Sequence, residues 1–363
     1  MFVDEARLRQ NIADMQALAS SARVRLRPHS KTHKSPVIAS WQIEAGAIGI
    51  CCAKLGEAEV FADAGAMDIR LPYPINPANA DRVKALQDRV ALSIIVDDLD
   101  VARSWSREMN TAGRRLDVLV KVDTGFHRCG VNPESPTTLD TIRKIADLSG
   151  LTFRGLLSHA GHGYGASSED ELQAVAEGEI AILRGLAARL TDASVDVQEI
   201  SVGATPTARF IATQQGATEM RPGNYVFRDR TQVGLGAATL EQCALGVVAT
   251  VVSRPTAGRL VFDAGSKVLT SDSLRGFAST RGHGLVFPSL EAEFPDPSIV
   301  IERLSEEHGV ARVPPSCALK VGERVRILPN HSCPVTNLAD ELLLVEGTTI
   351  VDRLPVAARG RST

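Results

Sequence analysis

No charge of either sign dominates this sequence. Its 40 lysines and arginines stand against 43 aspartates and glutamates, a formal net charge of −3. That balance leaves no strong field for nucleic acid or anionic lipid, so a small molecule is the expected partner. Long apolar runs are missing too: no stretch approaches the roughly 18 residues that a membrane span needs. The amino-terminal MFVDEARLRQ also lacks the charge-then-apolar order of a secretory signal, and a cytoplasmic location is expected. Cysteine is sparse, with six scattered residues and Cys51 and Cys52 inside an apolar run, which suits buried, reduced thiols better than a disulfide framework. There is no internal repeat, no low-complexity segment and no dinucleotide glycine fingerprint at a first βα turn. Residues 357–363 read as a basic, polar tail expected to fray.

What is present is an alternation. Residues 4–22 carry Leu8, Ile12, Met15 and Leu18 at helical spacing. Short apolar or β-branched runs then recur at Val24–Leu26, Ala47–Cys52, Ile69–Leu71, Leu92–Val96, Leu116–Val122, Phe153–Ser158, Ile200–Val202 and Glu219–Arg221. The segments between them, such as 56–64, 77–89, 99–110, 138–148 and 169–190, are long enough for crossover helices. Strand and helix in alternation imply a parallel sheet, and eight units in about 200 residues imply a closed (β/α)8 barrel. From about Cys243 the texture changes to β-rich runs at Leu245–Val252, Arg259–Asp263, Arg324–Leu328 and Glu341–Val345, separated by turn residues. The expectation is a barrel over 1–236 and a second, mostly antiparallel β domain over 237–363.

In such a barrel the loops after the strands form one face, and the chemically capable residues fall there. Lys31, in RPHSKTHK at 27–34, follows the first strand, and Ser35-Pro36 then opens a helix. Arg128 follows the fifth strand, His159 the sixth, Ser201 to Thr205 the seventh, and Arg221 to Tyr225 the eighth. Alone, the first stretch also reads as a solvated basic loop and the glycine turns as ordinary turns. Together they supply an amine nucleophile, an aromatic ring, guanidinium groups and turns able to bind an anion. Pyridoxal phosphate presents an aldehyde and a phosphate to match.

The motifs RPHSKTHK (27–34), CCAKLGEAEV (51–60), DTGFHRCG (123–130), SHAGHGYG (158–165), SVGATPT (201–207), RPGNYVF (221–227), DAGSK (263–267) and PNHSCPVTNL (329–338) resemble those of the D-threonine aldolase and D-serine dehydratase group. These are type III pyridoxal-phosphate enzymes related to alanine racemase. The resemblance implies an alanine racemase-like barrel with a C-terminal β domain, usually as a homodimer. It implies Lys31 as the cofactor lysine ahead of Lys34 and Lys54, Arg128 at the cofactor's phenolic oxygen and His159 against the pyridine face. It further implies a phosphate cradle from Ser201, Gly203, Thr205, Gly223, Asn224 and Tyr225, and Arg221 at the pyridine nitrogen.

PNHSC adds a metal. In an extended segment His331 and Cys333 point to the same side, and imidazole with thiolate favours zinc over magnesium or calcium. A lone His-x-Cys is a weak signal, but the resemblance implies that this pair holds a divalent ion beside the cofactor, zinc first, with manganese, cobalt or magnesium as alternatives. Some aldolases of the group have aspartate at the position of Cys333, and cysteine is the form familiar in the dehydratases. The expected activity is a lyase on D-β-hydroxy amino acids, D-threonine aldolase first, with D-serine or D-3-hydroxyaspartate dehydratase as the alternative. A non-catalytic pyridoxal-phosphate carrier resembles the barrel alone. A racemase would need a second base, typically a tyrosine, from the β domain, whereas Tyr73, Tyr164 and Tyr225 all lie in the barrel half.

Overall fold

The computed structural model describes residues 1–277 and 282–363. After a short first strand, β1 (Phe2–Asp4), come β2 (Arg25–Leu26), β3 (Ile50–Cys51), β4 (Asp68–Pro74), β5 (Ala91–Val96), β6 (Leu116–Lys121), β7 (Leu151–Leu157), β8 (Glu199–Val202) and β9 (Glu219–Met220). The strands β2 to β9 form one sheet in the order β2-β9-β8-β7-β6-β5-β4-β3, every pair parallel. A parallel bridge between His29 and Cys51 joins its two edges, with the Cys51 N–H donating to Pro28 O at 2.7 Å. The sheet is therefore a closed barrel, and all eight of the expected strands are present.

Period-2 alternation sorts the strand residues. Ile94, Val96, Val118, Val120 and Leu156 face outward into the main core, while Ile95, Leu119 and Leu157 form a separate cluster inside the barrel. Around β2, β4, β8 and β9 the interior is charged instead. Glu219, with no exposed surface, accepts from Arg27 Nε at 2.8 Å, Arg70 Nη1 at 2.6 Å and Ser201 Oγ at 2.5 Å. Arg27 also bonds Asp68, and Arg70 bonds Ser93 and Glu199. Buried charges are tolerated when each is paired and hydrogen-bonded, and this network meets that condition.

The remaining strands are β10 (Leu245–Thr256), β11 (Arg259–Phe262), β12 (Leu285–Phe287), β13 (Val300–Leu304), β14 (Gly309–Arg312), β15 (Arg324–Leu328), β16 (Glu341–Glu346) and β17 (Thr349–Pro355). They form a second sheet with the path β13-β14-β11-β10-β1-β16-β17, and β15 pairs with both β10 and β12. Its pairs are antiparallel except β1 with β16. The chain thus begins in the second sheet before the helix Glu5–Ser21 carries it to the barrel. The last residues also contact the barrel half. Ala358 is buried, its N–H donates to Lys34 O at 3.0 Å, and Gly56 N–H donates to Thr363 O at 2.7 Å. The polar tail is exposed except at Ala358, and these two bonds hold it against the loop and helix that follow β2 and β3.

Candidate active site

The loops after the barrel strands enclose a cavity of about 1030 Å³, open mouth included. Lys31 and Thr32 enter from the loop after β2, Lys121 and Arg128 from β6 and its loop, and His159 from the loop after β7. Gly203 and Thr205 follow β8, and Arg221, Gly223 and Asn224 follow β9. The C-terminal part contributes Ser273, Arg275, His331 and Cys333. Among the described residues no aspartate or glutamate lines the cavity. Ser201 and Tyr225, expected in the phosphate cradle, do not line it either. Ser201 faces the barrel interior and is bonded to Glu219, and the Tyr225 hydroxyl accepts from Gln42 Nε2 at 2.9 Å beneath the surface.

Of the three candidate lysines only Lys31 opens into the cavity. Lys34 is buried, paired with Glu57 at 3.0 Å and donating to Asn337 Oδ1 at 2.7 Å. Lys54 lies over the Tyr73 ring at 3.8 Å. Lys31 sits in the single turn Ser30–Thr32, where its N–H donates to His29 Nδ1, and its amine has no ion-pair or hydrogen-bond partner among the described residues. This turn packs tightly on the loop after β9. A Cβ at position 223 would lie 2.9 Å from His29 O and 3.0 Å from Thr32 Oγ1, so glycine there permits the contact.

A second lysine was hidden from the sequence reading by its place at the end of a strand. Lys121 lies two residues beyond Leu119 on the inward face, is buried, and lines the cavity. Burial and the neighbouring Arg221 push its amine down to about 7, against the opposing pull of Cys129 and Glu179. His159 likewise is held well below the ordinary imidazole range by burial and by Lys31, Lys121, Arg128 and Arg221. It is a neutral ring, with Nδ1 3.4 Å from Gly203 O. Phe126 meets it edge-on at 5.8 Å and lies 4.9 Å from the Arg128 guanidinium, tying these two residues together.

Two turns face the cavity with free donors. The backbone N–H groups of Thr205, Gly223 and Asn224 have no protein acceptor among the described residues, and Tyr225 N–H donates to Thr205 Oγ1 at 3.2 Å, which joins the turns. Behind them stands Glu179, buried on the helix Glu169–Asp192. Its Oε1 accepts from Ser158 Oγ at 2.5 Å and from Gly203 N–H at 3.3 Å. The floor of the cavity is Arg221, whose guanidinium donates to Ser201 Oγ at 2.5 Å and to Ser158 O.

His331 and Cys333 come together, though not by the extended geometry expected. His331 is the extended residue before the helix Ser332–Thr336, and Cys333 lies in that helix's first turn. Burial opposes the charge on His331, yet the adjacent Cys333 thiolate and Asp229 and Asp272 raise its imidazole to about 10. Burial would raise the Cys333 thiol, but His331 brings it below its ordinary value. His331 Nδ1 lies 2.6 Å from Asp272 Oδ2, a carboxylate that the sequence reading missed. Asp229 Oδ2 accepts from Asn224 Nδ2 at 2.6 Å and from Ser332 N–H at 2.9 Å, which fixes the His331–Cys333 segment to the loop after β9. Among the described residues no group of three or more His, Cys, Asp or Glu side chains forms a full metal cage.

Comparison with known proteins matches residues 3–231 to the alanine racemase N-terminal domain and 244–345 to a serine dehydratase domain. The chain belongs to the alanine racemase N-terminal domain family. Within that family it is 33% identical to a D-threonine aldolase of Arthrobacter, over 100% of this chain and 92% of that protein. It is 35% identical to a D-threo-3-hydroxyaspartate dehydratase of Delftia, over 91% and 89% of the two. The solved structure of a D-threo-3-hydroxyaspartate dehydratase variant in its metal-free form superposes with a TM-score of 0.90 at 32% identity, covering 98% of this chain and 96% of that one. The fold is therefore an alanine racemase-like barrel with an antiparallel-rich second sheet, and the chain is an enzyme, a lyase of the aldolase and dehydratase group.

The family implies pyridoxal phosphate, and the residues present fit it. Among the described residues a lysine amine without a partner, N–H groups without an acceptor in two joined turns, and a cavity lined by cations and no carboxylate suit an anionic aldehyde. A divalent ion fits less completely. His331 and Cys333 offer two ligands, with Asp272 positioned as the outer partner of the imidazole, which leaves other coordination positions to water or substrate.

Proposed function

We propose that this chain is a lyase for D-configured β-hydroxy amino acids, of the D-threonine aldolase type, releasing glycine and an aldehyde. In this reading pyridoxal phosphate is held on Lys31 and a divalent ion, zinc first, at His331 and Cys333. One observation carries the reading: Lys31 and the His331–Cys333 pair open into the same cavity, with Thr32 Oγ1 3.2 Å from Cys333 Sγ. When bound, the cofactor supplies an electron sink for the pair released at Cα, and the ion a Lewis acid for the β-oxygen.

The chain's own groups do the rest. Thr205, Gly223 and Asn224 offer N–H donors to the phosphate, and Arg221, held by Ser201 and Ser158, supports the ring's nitrogen edge. His159 stays neutral and packs as an uncharged ring. Arg128 supplies a guanidinium to the phenolic edge. With these groups on set sides of the cavity, one enantiomer alone would direct its amino group to the Lys31 side and its β-hydroxyl to His331 and Cys333. Orientation of this kind is worth about 7–11 kcal/mol in favourable cases.

Cys333 favours a second reading, dehydration, as does the 35% identity to a dehydratase. In that reaction the Lys31 amine would take the α-proton and hydroxide would leave Cβ; the enamine so formed tautomerises to an imine, which water hydrolyses to an oxo acid and ammonia. Product analysis with D-threonine, D-serine and D-3-hydroxyaspartate separates the two. Glycine with aldehyde supports aldol cleavage, oxo acid with ammonia and no glycine supports dehydration, and turnover of no D-substrate contradicts both.

A further inference from the structure

The segment after the helix Ser266–Leu269 has no regular structure, yet it is pinned at two points. Asp272 is bonded to His331 at one end, and Asn330 Nδ2 donates to its carbonyl at 3.0 Å. At the other end Gly276, with φ +97°, packs so closely that a Cβ there would lie 2.9 Å from the Gly234 carbonyl. Between the two pins Ser273 and Arg275 line the cavity. Arg275 has no carboxylate within ion-pair distance and no hydrogen bond among the described residues. Among the described residues no acidic side chain elsewhere on the cavity wall offers it one. Arg275 shares the cavity wall with Tyr164, His331 and Cys333 and lies three residues from Asp272, which is bonded to His331, so it stands on the His331–Cys333 side.

An unpaired guanidinium on a cavity wall is matched by a planar anion, which it binds through two parallel N–H donors. In the lyase reading above, on which this inference rests, the β-oxygen of the substrate is directed to His331 and Cys333. The other group on Cβ then lies on the same side. A methyl group, as in threonine, or a hydrogen, as in serine, gives the guanidinium no counterpart; a carboxylate does. We propose that Arg275 reads a second carboxylate at Cβ, and that D-3-hydroxyaspartate-type dicarboxylates are the preferred substrate class.

The test compares the holoenzyme with Arg275→Ala and Arg275→Lys on D-3-hydroxyaspartate and D-threonine. In parallel, D-aspartate and D-alanine, which lack the β-hydroxyl, are titrated by the change they cause in cofactor absorbance. The wild type should prefer the dicarboxylate in both assays. Arg275→Ala should lower the ratio of kcat/KM for D-3-hydroxyaspartate over D-threonine by about 10- to 100-fold, the loss typical of one charge-assisted contact. The D-aspartate over D-alanine affinity ratio should fall in parallel, and Arg275→Lys should recover part of each. Ratios that do not move overturn the assignment, whether Arg275→Ala weakens every ligand alike or none. A wild type inert towards all D-β-hydroxy substrates would sink the lyase reading instead, and the D-aspartate to D-alanine comparison would still decide the role of Arg275. Failure of both ligands to perturb the cofactor would overturn the second-carboxylate site as well.

Discussion

Thr32 Oγ1 lies 3.2 Å from Cys333 Sγ. The contact joins the turn that carries Lys31 to the motif that carries His331, so two groups 300 residues apart are set against each other through one hydroxyl. Thr32 is fully buried, and Thr32→Val keeps its shape while removing the bond. We expect a stability loss of about 0.5–1.5 kcal/mol. We also expect the Cys333 thiol to titrate at higher pH, since the Thr32 bond is one of the contacts that hold it down. Ultraviolet titration of the thiolate in chelator-treated protein, with Cys333→Ser as the blank, measures the shift; an unmoved or lowered value would contradict the role given to Thr32.

Borohydride reduction of the cofactor-loaded protein, followed by peptide mapping, should place the label on Lys31. Lys34→Ala should still be labelled but be less stable, because it leaves Glu57 buried and short of its ion-pair partner. A label on Lys34, Lys54 or Lys121 would overturn the assignment.

Glu219 predicts an acid-sensitive barrel. Burial alone would raise its carboxyl, but Arg70, Arg27 and Arg221 bring it from the ordinary 4.5 down to about 2. The folded value lies below the unfolded one, so the stabilisation is present above about 4.5 and is lost as pH falls from there towards 2. Denaturant unfolding at a series of pH values should show this decline, and Glu219→Gln should flatten it. At neutral pH the variant should lose on the order of 3–5 kcal/mol, as expected when a buried partner is removed. Parallel pH profiles in the two proteins would refute the assignment.

Asp272 Oδ2 lies 2.6 Å from His331 Nδ1, so in the proposed reading it orients the imidazole from outside the His331–Cys333 ligand pair. Asp272→Ala should weaken divalent metal binding by about 10- to 100-fold without removing a ligand, as read by calorimetric titration of zinc into metal-free protein. His331→Ala should lose binding altogether. Equal affinities for Asp272→Ala and wild type would show that the carboxylate does not act on the ion.

The barrel was legible because each strand is an apolar run and each crossover a helix with its own period. The second sheet was less so. β1 has three residues and finds its partners in Gly246 and Leu343, far beyond any local pattern. β17 is exposed along most of its length and so shows no alternation. Within the site, residues next to a strong motif were found, whereas Lys121, Glu179 and Asp272 were missed. One reads as a strand end, one as the polar face of a long helix, and one as an ordinary loop aspartate. Ser201 and Tyr225 erred the other way. Their motif is at the cavity, but strand alternation turns Ser201 into the barrel and packing turns the Tyr225 hydroxyl to Gln42.

The measurement closest to the central claim is turnover of D-threonine and L-threonine by the cofactor-loaded enzyme, before and after chelation and again after zinc is restored. Lys31 and the His331–Cys333 pair acting in one cavity predict glycine and acetaldehyde from the D-enantiomer alone, loss of that activity on chelation with the cofactor absorbance retained, and recovery with metal. Equal turnover of L-threonine, or full activity in the chelated enzyme, would contradict the account.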